Sequence, residues 1–238
     1  MKKVIIVGAS SGIGRSLAKL FVGNNYKVGI TGRRSLLLEE LKLENSDNYF
    51  IKTFDIQQVQ TLPYHLSELT QELGGLDVLI ISSGSGDLNE NLNFDIEKDT
   101  IDTNVSGFTA IADWGFNYFR KQKFGHLVGI SSIGGLRGNS LAPAYSATKA
   151  YQISYLEGLR IKALKLSLPI YVTDIRPGFV DTEMAKGEGL FWVASADKAA
   201  KQIFKAIQTK RKTAYVTKRW SLIAFLFKVL PNWLFEKL

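Results

Sequence analysis

Seven short apolar runs, each but the last followed by a longer segment of helical pattern, constrain this chain more than any other feature. The series opens "KVIIVGA" then "GRSLAKLFVGN", and continues "YKVGITG" then "SLLLEELKLEN", and "NYFIKTFDI" then "LPYHLSELTQELGG". "LDVLIISSG" precedes residues 95–122, "GHLVGISS" precedes "AYSATKAYQISYLEGLRIKALKL", and "PIYVTDIRPG" precedes "SADKAAKQIFKAIQTK", with "TAYVT" last. The runs are apolar at successive positions rather than at alternate ones, which is the pattern of strands buried on both faces. Parallel neighbours need a crossover, so strict strand–helix alternation predicts a doubly wound α/β fold: a mostly parallel seven-stranded sheet flanked by helices. No linker or internal repeat interrupts the 238 residues, so one domain over 1–238 is expected, with 219–238 as an apolar C-terminal extension.

Charge narrows the function classes. The net charge is +8, yet the last 41 residues hold ten Lys/Arg and one acid, Glu236, while the preceding 197 are nearly balanced. The basic character belongs to the tail, which argues against a nucleic-acid footprint on the body. There is no cysteine, so neither a disulfide framework nor a thiolate metal site is available. His65 and His126 stand alone, outside any ligand spacing, and no metal site is expected. "MKKVIIVGAS" imitates the start of a secretory signal, but its apolar run is short and a glycine turn follows at once; it reads as a first buried strand. No run reaches the roughly 18–20 apolar residues of a spanning helix. The expected location is cytoplasmic.

Directly after the first run, Gly8, Gly12 and Gly14 are spaced GxxxGxG, with Ser10, Ser11 and Ile13 in the same turn. Glycines let backbone approach a pyrophosphate, and the helix that follows offers free amides and a positive dipole end. Such a turn can also be only a turn; its place between strand and helix favours a Rossmann-type dinucleotide site. The second strand ends "GITGRRS". Gly32 stands where many NAD sites carry an acid for the ribose hydroxyl, and Arg33 and Arg34 follow. Two guanidiniums there suit a 2′-phosphate, so NADP(H) is preferred over NAD(H); a solvated basic turn is the other reading. Asp55 and Ile56 follow the third strand. The Asp55 carboxylate suits an adenine amino group or simply caps a turn.

These motifs, together with Asn104 in "DTNVSG", Ser132 in "GISSIGG", Tyr145 and Lys149 in "YSATK", and "RPGFVDT" at 176–182, resemble the short-chain dehydrogenase/reductase superfamily over roughly residues 1–185. The resemblance implies an oxidoreductase that interconverts a ketone or aldehyde and an alcohol. Tyr145 would be the general acid or base, its pKa lowered by Lys149 one helical turn on. Lys149 would also hold the nicotinamide ribose. Ser132 would donate to the substrate oxygen, and Asn104 would interrupt its helix and hold a water that relays protons to Lys149. Pro177, Gly178, Val180 and Thr182 would lie beside the nicotinamide. Two departures stand out: "ISSG" at 81–84 replaces the family's Asn-Asn-Ala-Gly, leaving Ser83 and Gly84 at the adenosine ribose, and Val7 precedes Gly8 where Thr is common. A catalytically silent NADP-binding regulator or scaffold is the alternative, and a lyase or epimerase using the same tyrosine is a third.

The substrate pocket is expected between the loop after Ser132, residues 84–94 and residues 183–194, the last holding Met184, Leu190, Phe191, Trp192 and Val193, with Gly187 and Gly189 as lid hinges. An apolar lid suits a small apolar carbonyl or alcohol substrate and equally suits core cover. A homodimer or homotetramer is expected: Phe108, Ile111, Phe116, Tyr151, Tyr155 and Leu159 match a family four-helix interface, though they could equally face the sheet. The tail "KRWSLIAFLFKVLPNWLFEKL" has three readings: packing on the body or a sister subunit, completing the pocket, or peripheral membrane contact with Trp220 and Trp233 at the boundary.

Overall fold

The glycine turn and the strand before it set the geometry of the whole molecule. In the computed structural model, which describes residues 1–184 and 191–236, β1 (Lys2–Val7) lies inside the sheet, next to its central strand. It pairs in parallel with β2 (Tyr26–Gly32) on one side and β4 (Val78–Ile81) on the other. β3 (Tyr49–Thr53), β5 (Gly125–Ile130), β6 (Ile170–Pro177) and β7 (Thr213–Val216) complete a sheet in the order β3-β2-β1-β4-β5-β6-β7, every neighbouring pair parallel. The chain winds outward from β1 through β3, then returns to β4 and winds the other way. That reversal opens a crevice at the carboxyl ends of β1 and β4, where ligands bind in open α/β sheets.

Each face of the sheet has its own core. α1 (Gly12–Val22), α2 (Ser35–Leu43) and α7 (Ala196–Gln208) cover one face through Leu17, Phe21, Leu38, Leu41 and Ile203. α3 (Leu62–Leu73), α5 (Phe108–Gln122) and α6 (Pro143–Lys165) cover the other through Leu66, Leu69, Phe116, Phe119 and Leu156. Both clusters are continuous because the inner strands are apolar on both faces: Val4, Ile6, Val78 and Ile80 join the first, and Ile5, Val7, Leu79 and Ile81 the second. Phe108, Ile111, Phe116 and Leu159 belong to the second core, so the sheet, not a sister subunit, takes these expected interface positions. Tyr151 and Tyr155 stack on each other 5.5 Å apart, and Tyr155 donates to Asp113 at 2.5 Å. The two histidines are structural: buried His126 bonds Thr173 at 2.8 Å, and His65 stacks on Phe54.

The expected long helix over 95–122 is broken. α4 (Phe94–Ile101) runs into a π-helical stretch, Asp102–Gly107, before α5 begins. A π stretch inserts one residue and re-aims its neighbours, and such insertions are frequent at functional sites. Gly107 makes the insertion possible, since a Cβ there would lie 2.5 Å from the Ile56 carbonyl oxygen. At the chain's end, α8 (Trp220–Val229) and the short α9 (Asn232–Phe235) form the extension.

Candidate active site

The turn from β1 to α1 is built around close backbone approach. Gly8 has φ +88°, and a Cβ there would sit 2.5 Å from the Ser83 amide nitrogen; a Cβ on Gly14 would sit 1.9 Å from the Gly8 carbonyl oxygen. The amides of Gly8 and Ala9 both donate to Thr31 O, tying the loop to the end of β2. Ser11 caps α1 with extended backbone but makes no side-chain capping bond, so the first amides of an eleven-residue helix face the crevice without intrahelical acceptors. Gly12 lies against Thr182, whose methyl would be 2.9 Å from an added Cβ. The serine of the departed "ISSG" segment adds a polar lining: Ser82 N donates to Val7 O at 2.8 Å, and buried Ser83 Oγ has no hydrogen-bond partner. A cradle of bare Cα atoms, helix amides and an unsatisfied hydroxyl fits a dinucleotide pyrophosphate and ribose.

The two arginines after β2 divide their work. Arg34 folds back over the glycine loop, donating to Ser10 Oγ at 3.0 Å and Ser11 Oγ at 2.5 Å. Its other terminal nitrogen grips both carboxylate oxygens of Glu183, at 2.8 and 3.0 Å. Arg33 is more exposed and lies 3.6 Å from Asp55. Asp55 Oδ1 also accepts from the Gln57 amide at 3.0 Å, closing the turn after β3. Ile56 is buried beneath the π segment.

Ser132, Tyr145, Lys149 and Asn104 come from three separate elements and converge beyond the ends of β4 and β5. Ser132 caps a short 3₁₀ turn, Ile133–Leu136, its Oγ accepting from Gly134 N at 3.0 Å. A Cβ on Gly134 would lie 3.3 Å from Ser132 Oγ and 3.4 Å from Tyr145 Cε1, so both side chains border the same point. Pro143 at the start of α6 sets the helix so that Tyr145 and Lys149 share a face one turn apart. Gly86 lies flat on the tyrosine ring; a Cβ there would be 2.2 Å from Cδ2. Lys149 is buried, with Nζ donating to Ile130 O at 3.1 Å and to Gln152 Oε1 at 3.0 Å. Burial lowers its pKa to about 8, and the Asp174 carboxylate offsets part of that fall.

One expectation is corrected here: the net shift of the Tyr145 phenol is upward, not downward. Lys149 Nζ lies 5.7 Å from the ring centroid and is turned toward the Ile130 carbonyl and Gln152. Burial pushes the phenol up, opposed by its hydrogen bond with Ser132. Asn104 lies in the π stretch that interrupts its helix, and its side chain is fully engaged. Oδ1 accepts from Ser85 N at 2.9 Å, and Nδ2 donates to Ser85 O at 2.7 Å and Thr148 Oγ1 at 3.0 Å, clamping the loop after β4 to α6. Its main-chain carbonyl accepts from Gln152 Nε2 at 2.9 Å. Gln152 thus bridges Asn104 O and the Lys149 ammonium. Its amide orientation follows from its partners, because a carbonyl only accepts and an ammonium only donates. Sequence reading missed this residue, although its signal was present: Gln152 lies one turn beyond Lys149 on the inward face of α6, before that face turns apolar at Leu156, Leu159 and Ala163.

Beyond β6, Pro177 ends the strand, Gly178 N donates to Val216 O at 2.7 Å, and the Gly178 Cα is covered by the Trp220 ring. Val180 is buried in a bridge with Ala194, and its carbonyl accepts from Thr182 Oγ1 at 3.3 Å. Met184 reaches over Gly84: a Cβ on Gly84 would lie 3.4 Å from both Asn104 Oδ1 and Lys149 Nζ, and 3.6 Å from Met184 Cε. The expected hinge glycines Gly187 and Gly189, and Leu190, lie outside the described residues. Phe191 and Trp192 pack on Phe179 and Trp220. Trp220 is therefore buried and holds the tail to the body instead of standing at a boundary.

A family model described as short chain dehydrogenase matches residues 2–190. An uncharacterized oxidoreductase of Myxococcus xanthus is 32% identical, aligned over 99% of this chain and 95% of its own length. One from Mycobacterium tuberculosis is 31% identical over 97% of this chain and 94% of its own. Among solved structures, a short-chain dehydrogenase from Streptomyces avermitilis superposes with a TM-score of 0.81 at 24% identity, covering 95% of this chain and 96% of that one. A protein titled ElxO with NADP bound gives 0.79 at 24%, covering 90% and 96%.

Proposed function

The chain belongs to the short-chain dehydrogenase family of oxidoreductases that act on CH–OH groups with a nicotinamide cofactor, and on that premise we propose that it is an NADPH-dependent reductase of a small apolar ketone or aldehyde. The observation that carries the reading is the meeting of Ser132 and Tyr145 at one point beside Gly134, with Lys149 one turn behind. Gly8, Gly12 and Gly14, with Ser10, Ser11 and Ile13, would cradle the pyrophosphate. Arg33 and Arg34 would take the 2′-phosphate, Asp55 and Ile56 the adenine edge, Ser83 and Gly84 the adenosine ribose. Pro177, Gly178, Val180 and Thr182 would wall the nicotinamide. When bound, that cofactor supplies or accepts the hydride.

The protein's own task is the proton and the oxyanion. A phenol whose pKa is raised by burial stays protonated at neutral pH, so Tyr145 is poised to give its proton to the carbonyl oxygen. Ser132 Oγ donates to the same oxygen as charge develops on it, a stabilisation worth most where water is excluded. Lys149 sets a positive charge behind the phenol and favours the phenolate left after proton transfer. Asn104 and Gln152 hold that ammonium and the loop over Tyr145 in place.

Arg34 supports the choice of NADPH. It already grips a carboxylate, that of Glu183, beside the glycine loop, which is the charge-assisted chemistry a 2′-phosphate needs. The ElxO relative of the same fold carries NADP. The test is NADPH oxidation across a panel of apolar ketones and aldehydes, with NADH beside it. Turnover should fall by at least about a thousandfold in Tyr145→Phe, within the range that loss of a positioned acid removes. Wild-type NADPH binding without turnover on any carbonyl would overturn the reading.

A further inference from the structure

The C-terminal helix α8 is apolar on two opposite faces, and only one of them is used by the fold. Trp220 and Ala224 are buried, and Ile223 and Phe227 lie half-buried on the same side. This inner face packs on Phe179, Phe191 and Trp192, and covers Gly178. On the outer side Leu222, Phe225, Leu226 and Val229 are 68%, 67%, 45% and 57% exposed. Their spacing, three, four and seven residues from the first, makes one continuous stripe along the helix. A run of large exposed apolar side chains on a rigid element marks an interaction surface.

The helix is held rigidly. Arg137, just after the 3₁₀ turn that begins beside Ser132, donates to Phe227 O at 2.7 Å, to Asn232 Oδ1 at 2.7 Å and to Leu230 O, closing the carbonyl end of α8. Its guanidinium also lies 5.2 Å from the Phe235 ring. The outer stripe is therefore a fixed feature of the molecule, backed directly by the aromatic cluster of Phe179, Phe191, Trp192 and Trp220.

Charge selects the occupant. Exposed Lys218 and Arg219 precede the helix and exposed Lys228 sits within it, in a C-terminal segment whose last 41 residues carry ten Lys/Arg against one acid. A second copy seated on the stripe would bring another such segment against the first, and like charges oppose that contact. An anionic lipid surface complements it. At ten residues α8 is roughly 15 Å long, about half the hydrocarbon thickness, and no helix among the described residues is long and apolar enough to cross a membrane. Its geometry is that of a helix lying in the interface with apolar side chains down and lysines at headgroup level. We propose that α8 docks this protein flat on an anionic membrane through Leu222, Phe225, Leu226 and Val229, with Lys218, Arg219 and Lys228 meeting the headgroups. The Gly178 segment covered by Trp220, which the proposed function sets beside the nicotinamide, would then stand near the lipid boundary, where apolar carbonyls concentrate.

The experiment is co-sedimentation of the full chain with phosphatidylglycerol–phosphatidylcholine vesicles and with pure phosphatidylcholine vesicles, beside light-scattering mass in solution. The wild type should partition onto the anionic vesicles and be released by high salt, which shortens the reach of surface charge. Phe225→Ser combined with Leu226→Ser should weaken partitioning on the order of a hundredfold, from the apolar area withdrawn. Lys218→Glu with Lys228→Glu should weaken it by at least about tenfold. All four positions are exposed, and far-UV circular dichroism checks that the variants stay folded. A wild type that remains in the supernatant with both vesicles overturns the proposal, and equal binding to both overturns the anionic assignment. A serine double variant that changes the solution mass but not vesicle binding assigns the stripe to a second copy instead. Turnover is not read, so failure here leaves the reductase reading standing.

Discussion

Replacing Lys149 by methionine should change how stability depends on pH. The native ammonium is buried and its pKa is lowered from 10.5 to about 8, chiefly by the loss of water around it. In the unfolded chain the group returns to its ordinary value, so between about pH 8 and 10.5 the unfolded state binds more protons than the native one. Stability due to this group therefore rises with pH across that window, and below it the full cost of burying the charge is present. A shift of this size corresponds to about 3 kcal/mol. Lys149→Met removes the titration while keeping an unbranched chain of similar length. Urea unfolding of the cofactor-free wild type and variant should be followed at intervals from pH 7 to 10.5. The wild-type stability minus the variant's should rise by about 3 kcal/mol over that range, whatever its absolute value at neutral pH. A difference that stays flat would refute the account of Lys149 as a desolvated ammonium. A difference that falls with pH would mean its pKa is raised by a partner.

Gln152→Leu removes the Oε1 acceptor from the Lys149 ammonium and should lower that lysine's pKa further; in a pH–rate profile, the limb belonging to Lys149 should move to lower pH, with Gln152→Glu moving it the other way. Glu183→Gln frees Arg34 from its carboxylate partner and should tighten NADPH binding by up to about fivefold, the range of an exposed ion pair, with little effect on NADH; cofactor fluorescence titration reads both. Gly14→Ala places a methyl where the Gly8 carbonyl oxygen stands 1.9 Å away; it should cost about 1–3 kcal/mol by overpacking, seen in urea unfolding, and weaken cofactor binding by at least about tenfold, because loop and helix must part.

The alternation of apolar runs with helical segments was sufficient to determine the doubly wound sheet, since inner strands apolar on both faces, such as Val4–Val7 and Val78–Ile81, are buried between two helical layers. The glycine turn was legible because the motif is local, and Ser132 and the Tyr145–Lys149 pair were named through the family resemblance, which spans separate elements. What tertiary structure alone decided were the contacts between elements distant in sequence. That Asn104 clamps Ser85 to Thr148, that Gln152 joins Asn104 to Lys149, and that Glu183 sits in the grip of Arg34 all depend on where separate loops arrive at the ends of the strands. Phe108 and Ile111 could have faced the sheet or a partner until the rotation of α5 about its axis was known, and the π stretch at Asn104, held against Ile56, contributes to that rotation. The tail shows the division most sharply. Its composition is apolar all round, so its sequence names no inner face; only the docking of Trp220 over Gly178 turns one side into core and leaves Leu222, Phe225, Leu226 and Val229 toward solvent.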